Sequence, residues 1–125
     1  MKAKQRIHGL ILGRAKSGVV KCAACGQILG YIEKEHFDYI YLHLICRCGE
    51  SGYLELGTLP EETPNALADA KETSLSCPDC ERRWFTGSDA LRNFAFRVCC
   101  NCGIFAENRY ERKRNPYQEL VFTEI

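Results

Sequence analysis

The chain has little of what membrane proteins and most enzymes are built from. No apolar run approaches the ~20 residues that a helix needs to cross a bilayer. Behind the charged start Met1-Lys2-Ala3-Lys4-Gln5-Arg6, the stretch Leu10 to Leu12 is too short for the core of a signal peptide. A cytoplasmic protein is expected. There is no GxSxG nucleophile elbow, no HExxH helix and no glycine loop to cradle a phosphate. The three histidines are scattered, with His8 and His36 in edge and loop positions and His43 inside an aromatic stretch. His36-Phe37-Asp38 is superficially near the deaminase pattern HxE, but Asp stands for Glu and Cys77-Pro78 reverses the order that the later PCxxC requires. Catalysis is therefore not expected. Nor does one sign of charge dominate, since 17 Lys and Arg face 16 Asp and Glu.

Cysteine is what the chain does have. Eight of its nine cysteines form two copies of one pattern: Cys22 and Cys25 followed by Cys46 and Cys48, then Cys77 and Cys80 followed by Cys100 and Cys102. Two close thiol pairs joined by a hairpin-sized insert are what a tetrahedral four-thiolate site needs, because each tight turn supplies two ligands. In a reducing compartment such pairs read as metal ligands rather than disulfides. Two Zn2+ ions are expected, and eight bound thiolates with two such ions move the formal charge from +1 to about −3. At 46% hydrophobic and 26% charged residues, the chain is neither disordered nor fibrous in type. Each half of the 125 residues is near the size where a core alone gives marginal stability, so metal would supply part of the folding free energy.

The spacing predicts a small metal-bound β fold: two tandem modules of antiparallel strands joined by a short helical linker. Residues 1–58 would hold a basic arm and the first module, 59–73 an acidic linker, and 74–125 the second module with a final strand. In the first module, Val19 to Lys21 enters the first knuckle, and three antiparallel strands are expected over Ile28 to Glu33, Phe37 to Ile45 and Gly52 to Leu56. In the second they are expected over Arg82 to Thr86, Asn93 to Cys99 and Gly103 to Asn108, with a helical turn over Ala90 to Asn93. Ile7 to Leu12 reads as an edge-covering strand, and Tyr117 to Phe122 as the last one. Asn65 would cap a short helix over Ala66 to Lys71. Beyond each knuckle, a glycine suits the left-handed turn: Gly26, Gly49 and Gly103 satisfy this, whereas Glu81 does not, and Pro78 in that knuckle would compensate.

On these cysteines and glycines both halves resemble zinc ribbons, the rubredoxin-like group whose hairpins carry CxxCG knuckles. The resemblance spans about residues 19 to 57 and 75 to 108. It implies binding rather than catalysis, as in the ribbons of transcription machinery, ribosomal proteins, nucleic-acid enzymes and small regulatory adaptors. The CxC pairs are one residue shorter than the usual knuckle. Cys99 reads either as a small side chain packed beside a ligand or as a replacement for Cys100, giving a normal CxxC from Cys99 to Cys102. An adjacent cysteine pair also occurs in desulforedoxin-type iron proteins, which leaves iron-thiolate electron transfer as a further alternative.

Two binding classes follow. A protein partner would meet exposed aromatics, with Tyr39, Tyr41, Trp84 and Phe85 the candidates, beside Arg47 at a metal-bearing tip. Most aromatics in modules this small must instead build the core. Nucleic acid would meet the basic arm, with Lys2, Lys4, Arg6, Arg14 and Lys16, together with Arg112, Lys113 and Arg114. The low overall charge favours the protein partner.

Overall fold

A computed structural model describes residues 5–61, 63–68, 70, 71, 74–114 and 120–124. Its strands are β1 (Gln5–His8), β2 (Leu10–Leu12), β3 (Ser17–Cys22), β4 (Ile28–Glu33), β5 (Phe37–Cys46) and β6 (Ser51–Leu56) in the first half. The second half has β7 (Ala70–Lys71), β8 (Ser74–Ser76), β9 (Arg83–Gly87), β10 (Leu91–Cys100), β11 (Phe105–Arg114) and β12 (Leu120–Glu124). Each thiol pair sits in the turn of a hairpin: β3 with β4, β5 with β6, β8 with β9, and β10 with β11.

The hairpins do not form separate modules. The first sheet runs β1-β6-β5-β10-β11-β12 and the second β2-β3-β4-β9-β8-β7, so each sheet takes strands from both repeats. The register shows how the halves are related. Leu42 and Phe96 each stand four residues before the first cysteine of a CxC pair, and they pair with each other across β5 and β10. On either side Ile40 pairs with Val98 and Leu44 with Phe94. In the second sheet Tyr31 and Thr86, each six residues after a CxxC pair, are likewise partners. Equivalent residues pairing with one another in antiparallel strands define a pseudo-twofold axis, and it passes through both sheets.

One core results. The inward side chains Ile40, Leu42, Leu44, Leu54, Phe94, Phe96 and Val98 of the first sheet meet Val20, Leu29, Ile32, Leu75, Trp84 and Phe85 of the second, all buried in a single cluster. Each such side chain contributes about 1.5–3 kcal/mol on burial, and neither repeat could bury its set without the other.

Four expectations are corrected. The two tandem modules are in fact interleaved through shared sheets. No helix occurs among the described residues; of the helix expected over 66–71, residues 66–68, 70 and 71 are not helical, and 69 lies outside the described residues. Asn65 spends its backbone N–H on Phe105 O, at 2.8 Å, and its Oδ1 accepts from Phe105 N–H at 3.1 Å, so the cap serves β11 instead. Ala66 then bridges Ala106, Ala68 O accepts from Tyr110 Oη and Asn108 Nδ2, and Ala70–Lys71 becomes β7 beside β8. So short a segment cannot offset helix nucleation on its own, whereas β11 offers it ready partners. The helical turn expected over Ala90 to Asn93 is a β-turn, closed by Leu91 N–H to Ser88 O at 3.1 Å, and β10 starts at Leu91. The arm over Ile7 to Leu12 is two strands that break at Gly9, whose φ of +75° sends β1 to the edge of one sheet and β2 to the edge of the other. Of the last strand, Leu120–Glu124 is present, and 117–119 lie outside the described residues.

Candidate metal centres

Each thiol pair is held by a backbone ring that its spacing sets. In the CxxC turns, Cys22 N–H donates to Gln27 O and Cys77 N–H to Arg82 O, while Gly26 and Glu81 return N–H bonds to Cys22 O and Cys77 O. In the CxC turns the ring is one residue tighter: Cys46 N–H reaches Glu50 O, Cys100 N–H reaches Ile104 O, and Gly49 and Gly103 close on Cys46 O and Cys100 O. The residue beyond each pair is left-handed throughout, with φ of +76° at Gly26, +95° at Gly49, +101° at Gly103 and +65° at Glu81. Glu81 therefore adopts the conformation that glycine supplies elsewhere.

The hairpins bring the sulfurs together in two groups, Cys22, Cys25, Cys46 and Cys48, and Cys77, Cys80, Cys100 and Cys102, with all four ligand atoms of each within 4.8 Å. Sγ–Sγ separations are 3.8 Å for Cys22–Cys48, 3.6 Å for Cys25–Cys46, 3.6 Å for Cys77–Cys102 and 3.5 Å for Cys80–Cys100. Four sulfurs held about 2.3 Å from one tetrahedral ion stand about 3.8 Å apart, whereas a disulfide requires about 2.05 Å. Each group can hold one metal ion.

Protonation supports the same reading. The backbone N–H of Gln27 brings the Cys25 thiol down to about 7, and that of Arg82 does the same for Cys80, also to about 7. Burial pushes the inner thiols of Cys46 and Cys100 up to about 12, and it raises Cys77 as well. Each centre thus pairs an exposed thiol that ionises near neutrality, Cys25 or Cys80, with a buried one, Cys46 or Cys100, whose ionised form needs a cation beside it. The indole Nε1–H of Trp84, wholly buried, makes no hydrogen bond, to sulfur or to any other acceptor. It lies close enough to Cys100 to favour the ionised form of that sulfur. A metal-bound Cys100 thiolate is the acceptor this N–H needs; a neutral thiol is a poor one.

Cys99 does not join the second group. Neighbouring strand residues point to opposite faces, so Cys100 turns inward to the centre while Cys99 sits half-buried on the outer face, opposite Tyr39 and Phe105. No histidine belongs to either group: His36 Nδ1 meets Arg83 O at 2.7 Å, and His8 stacks on Tyr53.

The partner residues expected from sequence divide. Arg47 is exposed in its knuckle and Tyr41 is half-exposed on the outer face of the first sheet. Trp84 and Phe85 are buried in the core, and Tyr39 is buried with its hydroxyl donating to Glu55 at 2.6 Å, so these three are not contact residues in this fold. Of the basic set, Lys2 and Lys4 lie outside the described residues, Arg14 is exposed, and Arg6 and Lys16 pair with Glu55 and Glu35 at 3.3 and 3.5 Å. Arg112, Lys113 and Arg114 fall on β11, in register with Phe122, Val121 and Leu120 of β12.

Sequence reasoning missed the continuous outer face of the first sheet. Arg6, Glu55, Tyr41, Arg97 and Glu107 lie side by side across five strands, with His8, Tyr53, His43, Ala95 and Arg109 in the next row. Tyr41 and Tyr53 stack at 6.2 Å, and Arg97 Nε binds Glu107 at 3.1 Å. Ala95 is the small residue between Tyr41, Arg97 and Arg109, and there an open cleft of about 440 Å³ forms beneath the exposed Leu67. Alternation along each strand was the available signal; which strands would lie adjacent was not.

Comparison with protein-family models, curated proteins and solved structures finds no match. No helix among the described residues is long and apolar enough to cross a membrane.

Proposed function

We propose that this chain is a non-catalytic zinc protein that binds another protein through the outer face of its first sheet. Zinc suits tetrahedral four-thiolate sites without redox chemistry, and a site closed by four sulfurs leaves no coordination position for an activated water. Reduced thiols at these spacings fit the cytoplasm. The carrying observation is the row Arg6, Glu55, Tyr41, Arg97 and Glu107, where basic and acidic groups alternate and pair internally around an aromatic centre. A surface neutralised in this way offers a phosphate backbone little net attraction, yet it presents the aromatic and arginine side chains that protein interfaces favour. Arg47 extends the candidate surface to the tip of one centre.

The test is affinity capture from a native extract treated with nuclease, at low and moderate salt, with the Tyr41→Ala protein alongside. A protein partner retained after nuclease and at both salt concentrations, and lost with Tyr41→Ala, supports the proposal. Retention that disappears with nuclease, or falls steeply with salt, would replace it with nucleic-acid binding. A visible absorption spectrum of an iron-thiolate centre in natively purified protein would replace the zinc assignment and revive electron transfer.

A further inference from the structure

Each CxC knuckle is tied to the opposite repeat. Arg47 N–H donates to Ala90 O at 2.9 Å and Asn101 N–H donates to His36 O at 3.4 Å. Arg47 and Asn101 are the middle residues of the two CxC turns, and Ala90 and His36 are the residues immediately before β10 and β5. These are one bond seen twice about the pseudo-twofold axis. At the second centre the tie is reinforced: Asn101 Nδ2 donates to Glu35 O, and His36 Nδ1 reaches Arg83 O, three residues beyond the ligand Cys80.

The two long strands complete the circuit. β5 starts beside His36, which the second knuckle grips, and ends in Cys46, a ligand of the first centre. β10 starts beside Ala90, which the first knuckle grips, and ends in Cys100, a ligand of the second. The two strands pair along most of their length, from Leu91 with Cys46 to Cys100 with Phe37. An ion that fixes one CxC turn therefore anchors the start of the strand that delivers a ligand to the other ion.

We propose that the two metal centres load and empty as one unit, coupled through these reciprocal knuckle-to-turn bonds. The coupling must be reciprocal: the factor by which one ion raises the affinity for the other is the same in both directions. This inference rests on the metal reading of both centres and not on what the protein binds.

Native mass spectrometry of the full chain, with Zn2+ withdrawn stepwise by a chelator, tests it. Independent sites, whatever their separate affinities, leave at least about half of the molecules with a single ion at half saturation. Where the two sites alone bind with similar affinity, coupling of about 5- to 150-fold reduces that share to between about a third and a thirteenth. In the Asn101→Ala protein, which keeps all eight thiols, both ions still bind at saturation and the one-ion share rises towards half. In the Cys77→Ser protein the intact first centre loses at least about fivefold in affinity. A one-ion share of half or more in the unaltered chain, together with a first centre that loses no affinity in Cys77→Ser, overturns the coupling while leaving the metal reading intact. So does an unchanged share in Asn101→Ala. A chain that takes up no metal overturns both.

Discussion

Glu81 holds a φ of +65° where the other three knuckles have glycine, and a side chain in that region costs about 1 kcal/mol. Glu81→Gly is expected to raise the stability of the metal-loaded protein by about 0.5–1 kcal/mol in denaturant unfolding, and a loss would show that Glu81 contributes through its side chain instead. Trp84 is the opposite case, a residue whose neighbour gives its position a purpose. Trp84→Phe keeps most of the packing but removes the N–H near Cys100, so chelator competition should show metal affinity lowered by about tenfold or more; unchanged affinity would remove the indole from the centre's support. Tyr39 carries the pH dependence. Burial, with Glu55 beside it, raises its phenol pKa above the ordinary value. The neutral phenol therefore stabilises the fold fully below about pH 10, and the contribution is lost as pH climbs towards the folded-state value. Tyr39→Phe should flatten that alkaline decline in a thermal-melt series, and an identical decline would assign it to other groups. The ligands were legible residue by residue because thiol spacing is local. Trp84 and Phe85 were not: a register irregularity opposite Leu75 and Ser76 lets two consecutive residues both turn inward, which strict alternation forbids.

At the level of elements, the hairpins follow from the sequence because a knuckle turn and an alternating run are both short-range signals. The long strands over Phe37 to Cys46 and Leu91 to Cys100 stand close to where the aromatic and β-branched pattern puts them. What that pattern does not contain is the partner on a strand's other edge. β5 pairs with β6 through a knuckle, but its second edge is filled by β10, far away in sequence, and no periodicity specifies that choice. The same gap explains the linker, whose residues Asn65 to Ala68 exchange helical bonds for bonds to β11. The β5–β10 pair is accordingly the sensitive seam. Leu42→Ala, at the axis and fully buried against Phe96's strand, should cost about 2–5 kcal/mol. That exceeds the cost expected for a solvent-facing substitution such as Ile11→Ala, which should stay within about 0.5 kcal/mol. Comparable losses for the two would contradict the placement of the seam.

On the scale of the molecule, the two repeats behave as the halves of a fused dimer: one core, two shared sheets and two centres related by a pseudo-twofold axis. The two four-thiol groups lie at the turns of all four hairpins, so an ion in each would close the fold at the points where the chain reverses and would supply the charge that buried thiolates require. The surface left over is the outer face of the first sheet, the face proposed above to meet a protein partner. Everything at this scale depends on the ions. The direct measurement is the metal content of folded protein purified under reducing conditions, read by elemental analysis together with circular dichroism before and after chelation. Two ions per chain, with the β signal collapsing as they are withdrawn, is the predicted result; a metal-free chain that keeps its fold with all its thiols reduced would contradict it.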